Sequence, residues 1–277
     1  GSKITYDGQA GNLALSGWQV WNIDLASVGT NVQNVTKLAI GIDGNGASGK
    51  LLFDDIRLYP YERQFITPTE PSSAGLIGHW KFDGDTQDSS GRGNHGTAGV
   101  TPAVFVAGKV GSNALDFRGA DYVAIDGVVD DITSTNITLS AWVKTTQAGE
   151  GEVFAANDST SGYALLFGVQ GGNPYRWDGG DTQFPPAIND GQWHLLTYVR
   201  SGSTGYVYVD GFQRGTYSAS FNLGSVTRWS IGQEWDDGSP SDFYNGLVDD
   251  ARIYDRVLSQ EEIAWIAGWT KPFDKPF

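Results

Sequence analysis

The stretch Trp193-His-Leu-Leu-Thr-Tyr-Val-Arg200, followed by Gly205-Tyr-Val-Tyr-Val-Asp-Gly-Phe-Gln213, decides the fold class. Both parts are rich in the β-branched and aromatic residues that favour strands. Asp210 and Gly211 accept the positive φ angles of a type I′ turn, so the second part predicts an antiparallel hairpin. Similar runs recur along the chain with turn residues between them, which is the pattern of a β-sandwich or jelly roll.

The composition excludes several classes of protein. The chain has 277 residues, with 18 basic and 32 acidic side chains and a net charge of −14. This charge disfavours nucleic acid and anionic membrane surfaces as partners, and the sequence holds no apolar run long enough for membrane insertion. There is no Cys, so disulfides and thiol nucleophiles are excluded. Thirteen per cent aromatic residues and 38 Gly indicate a globular, turn-rich, all-β protein.

Proline and serine divide the chain into two pieces. Residues 67–74, Thr-Pro-Thr-Glu-Pro-Ser-Ser-Ala, predict an extended linker between a small all-β segment at 1–66 and a domain at 75–277. Phe53-Asp-Asp-Ile-Arg-Leu-Tyr59 matches Val248-Asp-Asp-Ala-Arg-Ile-Tyr254, which predicts the same closing strand in both pieces. Gly1-Ser2 has the form of a tag remnant, so we expect any signal peptide to have been removed.

A short helix is predicted near the C-terminus. Ser259-Gln-Glu-Glu262 is a capping box, in which Ser259 caps the helix and Glu262 reaches back to it. Leu258 and Ile263 are spaced for the accompanying hydrophobic contact, and Gly268 suits the stop. We expect this helix to form a lid on the sandwich.

Motifs in a fixed order give the second piece a family resemblance. They include Leu76-Ile-Gly-His-Trp-Lys-Phe-Asp83, Asp88-Ser-Ser-Gly-Arg-Gly-Asn-His-Gly-Thr97, Asp190-Gly-Gln-Trp-His194 and Gly246-Leu-Val-Asp-Asp-Ala-Arg-Ile-Tyr254. In this order, residues 75–268 resemble the concanavalin A-like, laminin-G-like bacterial lectin modules. The resemblance implies an antiparallel β-sandwich jelly roll with a short C-terminal helix.

The first piece has a resemblance of its own. Trp18-Gln-Val-Trp-Asn-Ile-Asp24 and Leu52-Phe-Asp-Asp-Ile-Arg-Leu58 are similar to the tail of jelly-roll carbohydrate-binding modules in large exported bacterial proteins. Residues 1–66 are therefore expected to be the C-terminal part of such a module. The chain would belong to a larger exported protein, located outside the cell or on its surface and tethered to other domains.

One loop is rich in the oxygen ligands that calcium prefers. It reads Phe82-Asp-Gly-Asp-Thr-Gln-Asp-Ser-Ser-Gly-Arg-Gly-Asn94. The family resemblance implies a structural calcium (Ca2+) where this loop meets the strand at Asp249. The predicted ligands are Asp83, Asp88, Asn94 and Asp249. The alternative is a set of Asx turns and a surface hydrogen-bond network.

The orientation of Asp249 can be predicted from the alternation of its strand. Period two puts Asp249 on the face of Leu247, Ala251 and Ile253, which is the inward face. An inward carboxylate needs a metal or hydrogen-bond donors as partners.

Two tryptophans lie in polar loops rather than in alternating strand patterns. They are Trp177, within Asn173-Pro-Tyr-Arg-Trp-Asp-Gly-Gly-Asp181, and Trp235, within Gln233-Glu-Trp-Asp-Asp-Gly-Ser-Pro240. Sugar rings stack on aromatic faces while polar neighbours bind their hydroxyls. The predicted ligand-binding residues are therefore Tyr175, Arg176, Trp177, Asp178, Trp235, Asp236 and Asp237. The alternative is that both rings only cover the edge of the sandwich.

Catalysis has weaker support in the sequence. Glycosidases need two carboxylates across a cleft, and hydrolases of this fold carry a Glu-x-Asp-x-x-Glu strand that is missing here. The nearest pairs, Glu150 with Glu152 and Glu234 with Asp236, fall in predicted loops. The expected function is non-catalytic binding of a polysaccharide or glycan. A structural or adhesion spacer is one alternative, and a glycoside hydrolase or polysaccharide lyase is the second.

Overall fold

The computed structural model describes residues 64–99, 102–158, 163–220 and 225–274, with isolated residues nearer the N-terminus. The chain divides into two compact units, residues 1–65 with Phe277 and residues 66–276. The partial jelly roll expected over 1–66, including the motif at 53–59, lies almost entirely outside the described residues. In the part of the chain that is described, no helix is both long and apolar enough to cross a membrane.

The second unit is built on two antiparallel sheets. Within the described ranges the larger sheet has eight strands: β2 (Leu76–Trp80), β4 (Phe105–Ala107), β5 (Asn113–Arg118), β7 (Ile137–Thr145), β12 (Trp193–Ser201), β13 (Thr204–Val209), β14 (Phe212–Ser218) and β18 (Asn245–Tyr254). Their order is β14-β13-β12-β7-β18-β5-β4, and β2 also pairs with β18. Numbering follows the chain, in which β1 (Phe65–Ile66) comes first and β19 (Phe273–Asp274) last.

The second sheet has seven strands in the same described ranges. They are β3 (Thr97–Ala98), β6 (Val123–Ala124), β8 (Gly151–Asn157), β9 (Tyr163–Gln170), β10 (Asn173–Trp177), β11 (Asp181–Gln183) and β15 (Arg228–Ile231). The order is β11-β10-β9-β8-β15-β6-β3. A separate hairpin joins β16 (Glu234–Asp236) to β17 (Ser239–Ser241), and a 3-10 helix covers Asp126–Asp131.

The main core fills the space between the two sheets. Its largest members include Trp80, Phe117, Phe154, Phe167 and Trp229, all fully buried. These side chains come from strands of both sheets, as the alternation of a sandwich requires. The predicted antiparallel β-sandwich is therefore confirmed.

A helix covers the outer face of the eight-stranded sheet. It is α1 (Gln260–Ile266), and its predicted capping box is confirmed: Glu262 N donates to Ser259 Oγ at 3.3 Å, and Ser259 N donates to Glu262 Oε2 at 2.9 Å. Its buried side chains complete a second apolar cluster formed by Trp142, Leu195, Val199, Tyr208, Tyr254, Leu258, Ile263 and Ile266. Trp265 faces solvent instead and is 37% exposed.

Local turn chemistry also follows the sequence. Asp210 and Gly211 have φ angles of 54° and 86°, and Val209 pairs with Phe212 across the turn, so the predicted hairpin is confirmed. The stretch at 67–74 is part of the second unit and is bonded to the region of α1, because Thr69 N donates to Glu261 O at 3.0 Å and Arg256 Nε donates to Ala74 O at 2.7 Å.

Candidate functional site

The candidate site lies on the outer face of the seven-stranded sheet. Leu165, Phe167 and Val169 of β9 belong to the main core, so alternation turns Leu166 and Gly168 outward. Residues directly opposite in neighbouring strands share a face. The outward row through Gly168 is Gln183, Tyr175, Gly168 and Glu152. The next outward row is Asp181, Trp177, Leu166 and Ala155.

Two aromatic rings of β10 form the apolar part of this face. Tyr175 is buried and Trp177 is half-buried, and they pack with Ala155 and Leu166 in a cluster separate from the main core. The hydroxyl of Tyr175 donates to Asp181 Oδ1 at 3.2 Å. Burial raises the pKa of Tyr175 far above its ordinary value, so the hydroxyl stays protonated and remains a donor.

Amide side chains form a hydrogen-bonded ladder beside these rings. Asn173 Nδ2 donates to Gln183 Oε1 at 3.0 Å, and Gln183 Nε2 donates to Gln170 Oε1 at 2.8 Å. Gln170 Nε2 in turn donates to Glu150 Oε2 at 2.8 Å. The polar ladder, as we call these four residues, runs from an exposed strand to a half-buried carboxylate. It holds donors and acceptors in fixed positions at the surface.

The β16–β17 hairpin stands on the other side of the site, beside β8. Glu152 N donates to Asp242 O at 3.0 Å, and Asn157 Nδ2 donates to Trp235 O at 3.3 Å. The half-buried Trp235 ring has the guanidinium of Arg228 over it at 3.6 Å and meets Tyr122 edge-on at 5.5 Å. These contacts fix one face of the Trp235 ring against the protein.

Buried carboxyl groups lie between the hairpin and β8. Glu152 is 0% exposed, and burial followed by the charge of Glu234 raises its pKa well above the ordinary value. Glu234 is 3% exposed, and burial together with a hydrogen bond to Asp242 raises its pKa to about 9. A raised pKa favours the neutral, protonated form of a carboxyl group, and groups with such shifts cluster at functional sites.

The predicted ligand-binding residues divide between two sides of the sheet. Tyr175 and Trp177 lie on the outer face, and Trp235 stands on the hairpin with Asp236 and Asp237 exposed beside it. These five stay candidates for ligand contact.

Arg176 and Asp178 lie on the inner side, because alternation turns them away from Trp177. The guanidinium of Arg176 sits 3.8 Å from the Tyr217 ring centroid and donates to Thr182 Oγ1 at 2.8 Å. Asp178 is buried and accepts from Ser220 N at 2.8 Å. Both therefore hold β10 and its loop in place rather than facing the candidate site.

Sequence reasoning did not bring together the residues that converge here. Local spacing pairs Glu150 with Glu152 and Glu234 with Asp236, and it gives no signal for Gln170 or Gln183. Strict alternation over 151–157 would place Glu152 on the core face of Phe154 and Ala156. A bulge at Val153, through which Val153 and Phe154 both enter the core, turns Glu152 to the outer face. The meeting of Glu152 with the hairpin depends on register between distant segments, which local pattern does not give.

The predicted calcium ligands do not form one oxygen cage. Asp88 accepts five hydrogen bonds, from His79 N, Ser90 N, Ser90 Oγ, Gly93 N and Asn94 N. Burial acts to raise the pKa of Asp88, but these hydrogen bonds together lower it. Asn94 Nδ2 donates to Ile77 O and to Asp131 Oδ2, both at 2.7 Å. A carboxylate with its lone pairs occupied by its own loop does not fit a calcium ligand.

Asp83 and Asp249 instead hold the turn between β4 and β5. Asp83 Oδ1 accepts from Ser112 N at 2.6 Å and Asn113 N at 2.9 Å, and Asp249 Oδ2 accepts from Lys109 N at 2.7 Å. Burial raises the pKa of Asp249 to about 6.

The predicted face of Asp249 was wrong in part. A bulge at Asp250, with φ of 49°, shifts the register of β18. Ala251 and Ile253 therefore enter the main core, whereas Asp249 pairs with Trp142 and stays on the side of Leu247. Backbone donors therefore bind Asp83 Oδ1 and Asp249 Oδ2, whereas Asp249 Oδ1 is buried without a hydrogen-bond partner.

Comparison with known proteins was made at two levels. At the level of sequence, a family model described as the concanavalin A-like lectin/glucanases superfamily matches residues 117–264. No curated protein matches the chain.

Solved structures share the fold at low identity. Domain 4 of AbnA, a GH43 extracellular arabinanase from Geobacillus stearothermophilus in complex with arabinotriose, is 21% identical with a TM-score of 0.59, covering 70% of this chain and 98% of that one. Trypanosoma rangeli sialidase in complex with 2,3-difluoro-KDN is 17% identical with a TM-score of 0.55, covering 71% and 33%. The receptor binding domain of botulinum neurotoxin mosaic serotype C/D is 14% identical with a TM-score of 0.53, covering 71% and 51%.

Proposed function

The chain belongs to the concanavalin A-like lectin/glucanases superfamily, and from this premise we propose that the outer face of its seven-stranded sheet binds a carbohydrate without catalysing a reaction. The ligand class is a polysaccharide or a glycan. The binding surface consists of the Trp177 ring, the polar ladder and the exposed part of the hairpin around Trp235.

The observation that carries this proposal is the position of aromatic rings beside ordered amides on one face. Trp177 is half-buried and lies in the strand row next to that of Tyr175 and Gln183. A sugar presents C–H groups that stack on an aromatic ring, and hydroxyl groups that exchange hydrogen bonds with amides and carboxylates. The polar ladder supplies both donors and acceptors at the same surface.

Binding is favoured over hydrolysis because of where the carboxyl groups lie. A glycosidase needs an acid and a second carboxylate in contact with the scissile bond. Glu152 and Glu234 are 0% and 3% exposed, so neither reaches a ligand on the surface of this structure. Their raised pKa values make a hydrolase the second candidate function, and opening of the hairpin would be needed for it.

The comparisons support the ligand class rather than its identity. Two of the similar structures were solved with a sugar or a sugar analogue bound. We propose further that the chain acts outside a bacterial cell, as a module of a longer exported protein. In that setting it would hold a neighbouring domain close to its substrate, which raises the local concentration without chemistry in the module.

The test is a binding assay on a panel of insoluble and gel-immobilised polysaccharides, with each supernatant assayed for new reducing ends and unsaturated products. We expect retention on one polymer without product, and loss of retention in the double variant Trp177→Ala/Trp235→Ala. Trp265→Ala is the matched control, because this tryptophan is exposed on α1, on the opposite side of the sandwich. Product formation would establish the hydrolase or lyase. Absence of both across the panel would favour a structural spacer.

A further inference from the structure

An aspartate lies beside the aromatic ring of the proposed binding surface. Asp181 begins β11, the edge strand of the seven-stranded sheet, and is directly opposite Trp177 of β10 in the antiparallel ladder. Side chains that are directly opposite each other share a face, with their Cβ atoms about 4.5–5.5 Å apart. The side chain of Asp181 therefore lies next to the ring on which a sugar would stack.

A hydrogen bond holds the Asp181 carboxylate in this position. The hydroxyl of Tyr175, the other aromatic ring of β10, donates to Asp181 Oδ1 at 3.2 Å. Asp181 is exposed, so its carboxylate meets both solvent and any ligand that covers Trp177. An aspartate in contact with water carries a full negative charge at neutral pH and accepts hydrogen bonds without donating any.

The basic residues of this sheet do not offset the charge of Asp181. Within the described strands of the sheet, the basic side chains are Arg176 and Arg228. The guanidinium of Arg176 lies on the inner side, over the Tyr217 ring, and that of Arg228 lies over the Trp235 ring at 3.6 Å. The ion pairs among the described residues include none to Asp181. Its negative charge therefore acts on whatever binds at the surface.

Further acids give the same sign of charge to the rest of the face. Glu150 ends the polar ladder, and Asp236 and Asp237 are exposed on the hairpin. Burial is the largest cause that raises the pKa of Tyr175, and the negative charges of its neighbours, Asp181 among them, act in the same direction. The whole chain has a net charge of −14. A ligand on this face therefore meets a negative electrostatic potential.

We propose that Asp181 is a specificity-determining residue, which restricts this face to uncharged polysaccharide chains and rejects chains that carry carboxylate or sulfate groups. The inference rests on the proposed carbohydrate binding and names the class of its ligand. A sugar hydroxyl donates a hydrogen bond to the carboxylate, whereas the carboxylate of a uronate or a sulfate group is repelled by it. Two like charges about 4 Å apart in water weaken binding roughly fivefold, and more where protein displaces the solvent.

The test compares two forms of one polymer that differ only in charge. The polysaccharide retained in the binding panel is lightly carboxymethylated, and part of it is converted to the methyl ester, so both forms carry substituents of similar size. Substitution is kept low enough for the ester to be retained like the unmodified polymer. Chelator is present throughout, because a divalent cation would bridge carboxylates of the polymer and the protein. We expect the parent chain to bind the ester at least about fivefold more tightly at low ionic strength.

Asp181→Asn tests the assignment to one residue. The amide keeps the shape of the side chain and an oxygen that accepts from Tyr175, but it removes the charge. The ratio of the affinities for the ester and the carboxylate form should therefore fall roughly fivefold, towards equal affinity. Glu70→Gln is the matched control, because it removes the same charge from an exposed residue in the stretch that is bonded to the region of α1. This control should leave the ratio unchanged.

Three results would overturn the proposal: retention of the parent chain on a polyanion of the panel as strong as on any neutral polymer, equal affinity of the parent chain for the two forms, or an unchanged ratio in Asp181→Asn. Circular dichroism of the variant shows whether it is folded. Absence of retention on every polymer would contradict the proposed carbohydrate binding itself, and this inference with it, so the two failures are distinguishable.

A salt series gives a second measurement that needs no variant. The distance over which charges act falls from about 10 Å at 0.1 M salt to about 3 Å at 1 M. Added sodium chloride should therefore bring the affinities of the parent chain for the two forms together, mainly by strengthening the binding of the carboxylate form. A preference for the ester that does not change with salt would contradict charge repulsion by Asp181 and would assign the discrimination to shape.

Discussion

The outer face of the eight-stranded sheet is covered by α1, whereas the outer face of the seven-stranded sheet carries the polar ladder and the buried acids Glu152 and Glu234. On the covered side, Ile263 and Ile266 complete an apolar cluster with Trp142 and Leu195. On the other side, Glu152 and Glu234 are buried with oxygens that lack partners. The two faces belong to one fold, but one is covered by apolar side chains and the other holds buried polar groups.

The difference separates stability from function. Apolar burial under α1 contributes free energy of folding without any further partner. Unpartnered acids beside the other sheet lower the stability of the isolated chain, which is the usual signature of a site that waits for a ligand. Substitutions on the two faces should therefore change stability in opposite directions.

The largest expected effect is on the covered face. Ile263→Ala removes a fully buried side chain between α1 and the sheet, and should lower the free energy of unfolding by about 2–5 kcal/mol. Urea unfolding measures this as a lower midpoint at unchanged slope. Trp265→Ala on the same helix is the matched control, and should lower the free energy of unfolding by less than Ile263→Ala, because Trp265 is partly exposed. Equal effects of the two substitutions would contradict the assignment of α1 as a lid.

On the other face, Glu152→Gln should raise the free energy of unfolding, measured by urea unfolding at neutral pH. The raised pKa of Glu152 means that its carboxyl group takes up a proton on folding. The amide keeps the shape of the side chain and needs no proton, so the expected gain in the free energy of unfolding is about 1–3 kcal/mol. The control is Glu150→Gln, whose carboxylate is only half-buried and bonded to Gln170. A lower free energy of unfolding in Glu152→Gln than in the parent chain would show that the carboxyl group of Glu152 already has a stabilising partner.

Substitution within the polar ladder should affect ligand affinity more than stability. Gln170→Ala breaks the two hydrogen bonds that join Gln183 to Glu150, and should weaken carbohydrate binding by about 0.5–1.5 kcal/mol, or roughly two- to tenfold. Gln213→Ala is the matched control, since this exposed glutamine belongs to the eight-stranded sheet. Affinity for the retained polysaccharide, measured by calorimetry, distinguishes them. An equal loss of carbohydrate affinity in Gln170→Ala and Gln213→Ala would contradict the placement of the binding surface on the seven-stranded sheet.

The sequence predicted the elements that depend on local chemistry. The turn at Asp210 and Gly211 and the capping box at Ser259 use short-range hydrogen bonds and backbone preferences, and both are confirmed. The sandwich follows from alternation in many strands, each of which must bury one face.

Features set by register were not predictable in the same way. A bulge at Asp250 places Asp249 away from the core face of Ala251. No local sequence pattern indicates such a bulge. Contiguity in sequence grouped Arg176 with Trp177, although neighbours in a strand face opposite sides. Glu152 and Glu234 meet because the hairpin returns to β8, which is a property of the topology.

The smallest expected effect concerns His194, at the start of β12 in the eight-stranded sheet. Its Nδ1 lies 2.8 Å from Asp210 Oδ2 and its Nε2 lies 3.2 Å from Asp190 Oδ1. The hydrogen bond to Asp210 is the main cause that raises the pKa of His194 above its ordinary 6.5, although burial opposes it.

Because the folded chain holds this proton more tightly than the unfolded chain, the contribution to stability is complete below about pH 6.5 and is lost as the pH rises through the folded pKa. The groups are partly exposed, so the change should stay below about 1 kcal/mol. Urea unfolding at several pH values should show this decline in the parent chain and a flatter profile in His194→Gln. The covered face itself is apolar, so its contribution should not follow pH. The same pH dependence of the free energy of unfolding in the parent chain and in His194→Gln would show that the pKa of His194 does not differ between the folded and the unfolded chain.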